Sequence, residues 1–247
     1  DRDGTAMNRP RFVVLLVARL VVASDAMVVV DWSNLAASVS AKLPATAPRF
    51  VLGSSSSSRR QLLAAAGGSF DVLAPDIDEK SIGDRGGDPA TLVRLVANAK
   101  ADALVEKLGT KTQNGDARVV LTGDQVVVWG GAIREKPRDL AECRRFVDSY
   151  SVGPCATVGA VCLHSLETGR RVTGVHEAAV HFGAIPSAVV DELLATDGAL
   201  LMKCAGGLMV EHPLVQPYLE RVTGGVDSVM GLSTQLVVDL LHELEEG

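Results

Sequence analysis

FVLGSSSSSRRQLLAAAGG, Phe50 to Gly68, decides how the rest of the chain is read. FVLGS has the apolar character of a short buried strand, five serines follow from Ser54 to Ser58, and RRQLLAAAGG reads as a short helix stopped by Gly67 and Gly68. A serine run of this kind can be a flexible linker ending in a solvated basic pair. It can equally be a loop of hydroxyls and backbone N–H groups that delivers two guanidinium groups to an anion at a helix start. The surroundings have to decide.

Working outward, FDVLA (Phe70 to Ala74) reads as a second strand and PDIDEK as an acidic loop. Asp88 and Pro89 sit as N-cap and first helical residue before Leu92, Leu95, Val96, Ala99 and Ala103, whose spacing predicts an amphipathic helix ending near Gly109. RVVLT (118–122) and QVVVW (125–129) read as two apolar strands interrupted by the polar Gly123–Asp124, with a turn at Gly130–Gly131. Leu140 to Tyr150 looks helical. Residues 157–182 carry two strand-like runs joined by a turn at Glu167 to Gly169. IPSAVVDELLA and LSTQLVVDLLHEL predict two further helices. Strands and helices interleave around a hairpin, so the class is α/β, a mixed central sheet flanked by helices.

The chain has 247 residues, 47% of them hydrophobic, enough for one sizeable core plus an extension. KLPATAP, Lys42 to Pro48, reads as a linker, which divides an N-terminal extension (1–48) from a domain (49–247). A net charge of −6 argues against a nucleic-acid polymer as partner and leaves room for a local cationic pocket that takes a small phosphorylated ligand. Cys143, Cys155, Cys162 and Cys204 show no CxxC spacing, which points to a reduced, cytoplasmic chain. The apolar run Phe12 to Val30 is broken by Arg19 and Asp25, so a membrane span is not expected. The acidic residues near the start fit a transit peptide poorly, and Met7 and Met27 are candidate native starts; an organellar location is the alternative if the extension is a targeting segment.

Phosphate chemistry needs cations or N–H groups for the anion, carboxylates for a divalent metal and a base to activate water. Separate segments supply them: Ser54 to Arg60; Asp76, Asp78 and Glu79; Lys100; Asp124; and Lys136 in REKP. Each also has an ordinary reading. Arg59 and Arg60 can be solvated surface, Lys100 a solvated residue beside an apolar helix face, the acids a charged loop and Asp124 a turn residue. His176, His181 and His212 lack ligand spacing and read as structural or exposed.

The order of these segments resembles the Maf family of septum-formation-inhibitor-like nucleotide pyrophosphatases. The resemblance runs from about Phe50 to the C-terminus through SSSSSRRQLL, APDIDEK, RLVANAKADAL, GDQVVV, REKP, CAGG and DSVMGL. The wording of DIDEKSI, DQVVV, IREKP and DSVMG looks like the plant-type eukaryotic members. The resemblance implies a Maf/ITPase-like fold and hydrolysis of a nucleoside triphosphate between its α and β phosphates, giving a monophosphate and pyrophosphate. It implies Asp124 as general base, and Glu79 with Asp124 for a divalent metal, Mg²⁺. Ser54, Ser56, Arg59, Arg60, Lys100 and Lys136 would surround the triphosphate and the leaving pyrophosphate, and a homodimer is plausible on the same ground. Gln125 and Glu211 resemble the branch that prefers 7-methyl-GTP, where a carboxylate can accept from a guanine N1–H and exocyclic amine. Ser58 stands where that bacterial branch carries a tryptophan, Val152 replaces a usual glycine and Ser233 a usual proline, so a dTTP/UTP specificity stays open. A non-catalytic nucleotide-binding regulator linked to cell division is the alternative from another class.

Overall fold

The computed structural model describes residues 20–23, 26–29, 39–109 and 118–246. Most of the apolar run from Phe12 to Val30, with Met7, Arg19 and Asp25, lies outside them. The nucleus is a parallel trio in which β3 (Arg49–Gly53) lies between β4 (Phe70–Val72) and β5 (Arg118–Trp129). Helix α1 (Ser57–Ala65) follows β3, capped by the Ser56 hydroxyl on the Arg59 N–H. The expected second strand is two residues shorter than FDVLA, although the Leu73 N–H still donates to Leu52 O at 3.1 Å. Helix α2 (Pro89–Leu108) begins as its sequence predicts, with the Asp88 side chain on the Thr91 N–H and proline in the first turn.

RVVLT and QVVVW are one strand of twelve residues, a correction to the interrupted pair. The reason is β7 (Cys155–Ser165), which pairs antiparallel with β5 from Val119 through Val128 and holds Gly123 and Asp124 in the ladder opposite Val161 and Ala160. β6 (Ala132–Arg134) folds back on the end of β5 through glycines 130 and 131, both at positive φ. Helix α3 (Leu140–Ser149), β8 (Arg171–Phe182) and helix α4 (Ser187–Leu201) follow, α4 running six residues beyond the sequence expectation. β9 (Leu219–Thr223), a short α5 (Val226–Met230) and α6 (Thr234–Glu245) complete the domain. With β1 (Leu20–Ala23) and β2 (Ala26–Val29), the sheet order is β2-β1-β9-β8-β7-β5-β3-β4, and β6 pairs with β5 outside that path. The mixed α/β sheet stands as expected.

Alternation along the strands sends apolar residues to both faces. Val51, Val120, Val126 and Ala160 pack with Leu92, Val93, Val96, Ala97 and Leu104 of α2. Phe50, Leu52, Val119 and Leu121 pack on the other face with Leu62 and Leu63 of α1 and Val237, Leu240 and Leu241 of α6. A further core joins the far end of β5 to α3, α4 and β9 through Val127, Tyr150, Leu193, Leu201 and Val222. The segment read as a linker is strapped down: the Leu43 N–H donates to Ala66 O at 2.9 Å, and Leu43 and Ala47 pack on the α1–α6 core. Among the described residues no helix is long and apolar enough to cross a membrane.

Candidate active site

β3 accompanies β5 only from Arg118 to Thr122, and β6 joins it only at Val127. Between them β5 is flanked by β7 alone, so Gly123 to Val126 border an opening at the carboxyl end of β3, the place where open α/β sheets take ligands. The serine loop and the start of α1 reach this opening directly from β3. Asp124 shares its face with Val120 and Thr122, and the Thr122 hydroxyl donates to Ala97 O of α2 at 2.7 Å. The Asp124 carboxylate is therefore turned toward α2.

There it meets Lys100. Lys100 is buried, as are Val96, Ala97, Ala101 and Leu104 of the same helix, and is only 4% exposed where its position beside the apolar face also allowed a solvated lysine. A buried ammonium needs partners. Lys100 Nζ lies 3.0 Å from Asp124 Oδ1 and 2.9 Å from Glu79 Oε2, and donates to Gly123 O at 3.4 Å. Of the three acids in PDIDEK, Glu79 alone joins this group. Asp76 pairs with Lys107 at 2.6 Å, and Asp78 caps the 3₁₀ turn Glu79–Ser81. Arg85 fixes that turn, donating to Glu79 O at 2.6 Å and to Ile82 O, and pairs with Glu135 at 3.4 Å.

Arg59 comes from the other side of β5. Its Nε donates to Gly231 O at 2.8 Å, and one terminal nitrogen donates to Gly123 O at 2.9 Å and to Ser54 Oγ at 3.4 Å. Burial lowers its pKa, while Asp124 and then Glu79 raise it, which is the field of a cation set against two carboxylates. Ser54 is buried and accepts from the Ser56 N–H at 3.2 Å, so the first serines form a folded turn. Arg60 reaches Ser55 O at 3.4 Å and stays half-buried, as does Ser58. Gln125 follows Asp124 but points to the opposite face, its Nε2 donating to Val229 O at 2.9 Å.

The remaining candidates, Lys136 and Glu211, lie in loops after β6 and α4. Lys136 is exposed in a cleft of about 200 Å³ with Arg85, Arg134, Arg138, Glu142 and Phe146. Among the described residues no carboxylate lies within ion-pair distance of it. Its loop is pinned to CAGG, where the Gly206 N–H donates to Glu135 O at 3.0 Å and Gly206 O accepts from Tyr150 at 2.7 Å. Gly206 has φ 72°, and a Cβ there would stand 2.7 Å from the Tyr150 oxygen, so this turn requires glycine. Partial burial raises the pKa of the half-buried Glu211. Burial and then Glu211 push the Cys204 thiol up to about 11, while Lys136 pulls it down.

A family model described as Maf-like protein matches residues 49–244. The chain belongs to the Maf family. Similar Maf-length relatives include a 7-methyl-GTP pyrophosphatase of Dictyostelium discoideum, 36% identical over 81% of this chain and all of that protein. A nucleoside triphosphate pyrophosphatase of Salinispora tropica is 32% identical over 79% of this chain and 84% of its own. A dTTP/UTP pyrophosphatase of Anaeromyxobacter dehalogenans is 31% identical over 79% of this chain and 94% of its own.

Several residues that build this candidate site gave little signal in the sequence. Arg85, in a Gly/Asp-rich loop, looks like solvated surface and instead joins the Glu79 turn to the loop of Lys136. The carbonyls of Gly123 and Gly231, which orient Arg59, belong to the backbone and leave no trace in residue type. Gly231 hints at its place because it closes a helix at φ 115°.

Proposed function

We propose that this Maf chain is a nucleoside triphosphate pyrophosphatase that cuts modified or non-standard nucleotides, 7-methyl-GTP in particular, between the α and β phosphates. The observation that carries the reading is the Lys100 ammonium held between Asp124 and Glu79 at the opening in the sheet. A regulator that only binds nucleotide has no use for two carboxylates beside the phosphates. They favour turnover.

In this reading Asp124 takes a proton from the attacking water, the phosphoanhydride bond between the α and β phosphates breaks, and pyrophosphate leaves with the charge it gains. Arg59, Arg60 and Lys136 bind the phosphate chain, and Lys100 keeps the Asp124 carboxylate oriented. The serine turn adds the Ser54 and Ser56 hydroxyls. Two carboxylates meeting at one ammonium are hard oxygen donors of the kind that holds Mg²⁺ together with substrate phosphates. Among the described residues no group of three or more His, Cys, Asp and Glu side chains could hold a metal by itself, so phosphate oxygens would complete the set. Glu79 and Asp124 would hold the ion, which when bound supplies positive charge to the phosphate oxygens.

Glu211, half-buried, would read the base, accepting from a guanine edge in its ionised form. Gln125 would act indirectly, since its amide is committed to Val229 O. All four cysteines are free thiols, in keeping with a reducing compartment such as the cytoplasm. The test is pyrophosphate release from purified 7-methyl-GTP, GTP, UTP and dTTP with and without Mg²⁺. Release of monophosphate and pyrophosphate, fastest from 7-methyl-GTP, is expected; release of inorganic phosphate alone, or of nothing, would overturn the reading.

A further inference from the structure

We infer that Ser40, nine residues upstream of the stretch matched to the Maf family, is a positioning residue for Arg59 and acts through the buried carboxylate of Asp227. Asp227 is fully buried, and its two oxygens are saturated. Oδ1 accepts from the Ser40 hydroxyl at 2.6 Å and the Ser228 N–H at 2.9 Å. Oδ2 accepts from the Ser40 N–H at 3.0 Å, the Thr234 N–H at 2.9 Å and the Thr234 hydroxyl at 2.5 Å. The Ala41 N–H donates to the same Thr234 hydroxyl at 2.9 Å. A buried carboxylate is tolerable only when its lone pairs are occupied this fully, and two of the five donors belong to Ser40.

The backbone of Asp227 carries the effect onward. Its carbonyl accepts from both the Gly231 and Leu232 N–H groups at 3.0 Å, which fixes the peptide after α5. Gly231 O in turn accepts from Arg59 Nε, and Arg59 spans to Gly123 O beside Asp124. Each link is a hydrogen bond or a covalent step within Asp227 and the Gly231–Leu232 peptide, so the chain from Ser40 to Arg59 is physically continuous.

Gly225 shows independently that the contact is built. A Cβ at this residue would lie 2.3 Å from Asp227 Oδ1 and 2.5 Å from Ser40 Oγ, so a side chain there would occupy the space in which the two meet. Gly225 has φ −82°, which any residue adopts, so space and not backbone freedom calls for glycine here.

The inference rests on the proposed function only for the purpose of Arg59, and its test reads Arg59 directly without substrate. In the full chain labelled with ¹⁵N-arginine, solvent exchange of the Arg59 Nε–H is compared between wild type, Ser40→Ala, Gly225→Ala and Ser40→Thr. Ser40→Ala and Gly225→Ala should each speed exchange by about fivefold or more as the Gly231 acceptor loosens, and Ser40→Thr, which keeps the hydroxyl, should restore the wild-type rate. In Ser40→Ala and Gly225→Ala the KM for a nucleoside triphosphate should rise severalfold with kcat less affected, and Ser40→Thr should keep the wild-type KM. Unchanged Arg59 exchange in both Ser40→Ala and Gly225→Ala, even with a lowered melting temperature, would reduce Ser40 to a structural contact and overturn the inference. Absence of hydrolysis in the wild type would refute the proposed function and leave the exchange result standing.

Discussion

The Lys100 ammonium lies 3.0 Å from the Asp124 carboxylate, joining the buried face of α2 to the one stretch of β5 that lacks a strand on one side. Glu79 approaches the same nitrogen from the acidic loop. The group therefore keeps a carboxylate on Lys100 when Asp124 is neutralised. Asp124→Asn should leave the melting temperature within a few degrees of wild type while lowering kcat by about 10²-fold or more, the scale of general-base catalysis. Steady-state hydrolysis and thermal melts on one preparation check both halves; activity within a few-fold of wild type would remove Asp124 from the base role.

Arg59→Lys keeps the charge and loses the fork. A lysine cannot reach Gly231 O and Gly123 O together from a planar group, so two charge-assisted hydrogen bonds at 2.8 and 2.9 Å are at stake. Such bonds contribute about 1.5–3 kcal/mol each, and kcat/KM should fall at least about tenfold despite the conserved charge. A fully active lysine variant would mean that charge alone matters.

Gly206→Ala should be among the most damaging substitutions outside the sheet. It forces a side chain onto φ 72° and places a methyl 2.7 Å from the Tyr150 oxygen and 2.8 Å from Val127. A cost of about 2–4 kcal/mol follows from backbone strain and overpacking together. Urea unfolding measures it, and kcat/KM should drop in step because Gly206 anchors the loop of Lys136.

Acid should destabilise the fold through His176. Burial first, then the neighbouring Arg59, lowers its pKa to about 4, against a partial opposing effect of Asp227. The unfolded chain takes up the proton near pH 6.5, so it binds more protons than the native state between about pH 6.5 and 4, and stability falls as pH falls through that window. The loss approaches about 3 kcal/mol at its lower end. His176→Phe should flatten this part of the stability–pH curve measured by urea unfolding from pH 7 to 4.5; an unaltered curve would place the acid sensitivity elsewhere.

Glu211→Gln replaces an acceptor-only carboxylate with a group that also donates. The preference for 7-methyl-GTP over UTP and dTTP should narrow or invert, by about the 1–3 kcal/mol that single pocket contacts discriminate. Comparing kcat/KM for the four nucleotides on both proteins tests this. A wild type faster on UTP or dTTP would hand the lead to pyrimidine specificity.

The nucleus of the fold is legible because β3 and α1 announce themselves locally, by the apolar run and the Gly67–Gly68 stop, whereas the Ser56 cap that folds the serine run shows only in the structure. The long helix of Lys100 is equally plain from Asp88, Pro89 and its apolar spacing. The unbroken β5 was hidden because its continuity depends on β7, whose pairing is set some forty residues later in the chain. A local reading sees only Gly123–Asp124 and infers a break. β9 and α5 were missed for a similar reason: LERVT alternates weakly, and five helical residues are too few to show a period. Among site residues, Lys100 was legible as a candidate, but its burial depends on two acids from distant segments, and the Arg59 acceptors are peptide carbonyls that no side chain reveals.

The unbroken pairing of β5 with β7 also has a mechanical consequence. The ladder from Val119 to Val128 passes beneath the opening and joins the packing around α1, α2 and α6 to the core of α3 and α4. Swinging those two halves of the core apart like a jaw would tear that ladder. Any widening of the opening therefore falls to the serine turn and the Glu79 turn at its rim, while the ladder stays paired.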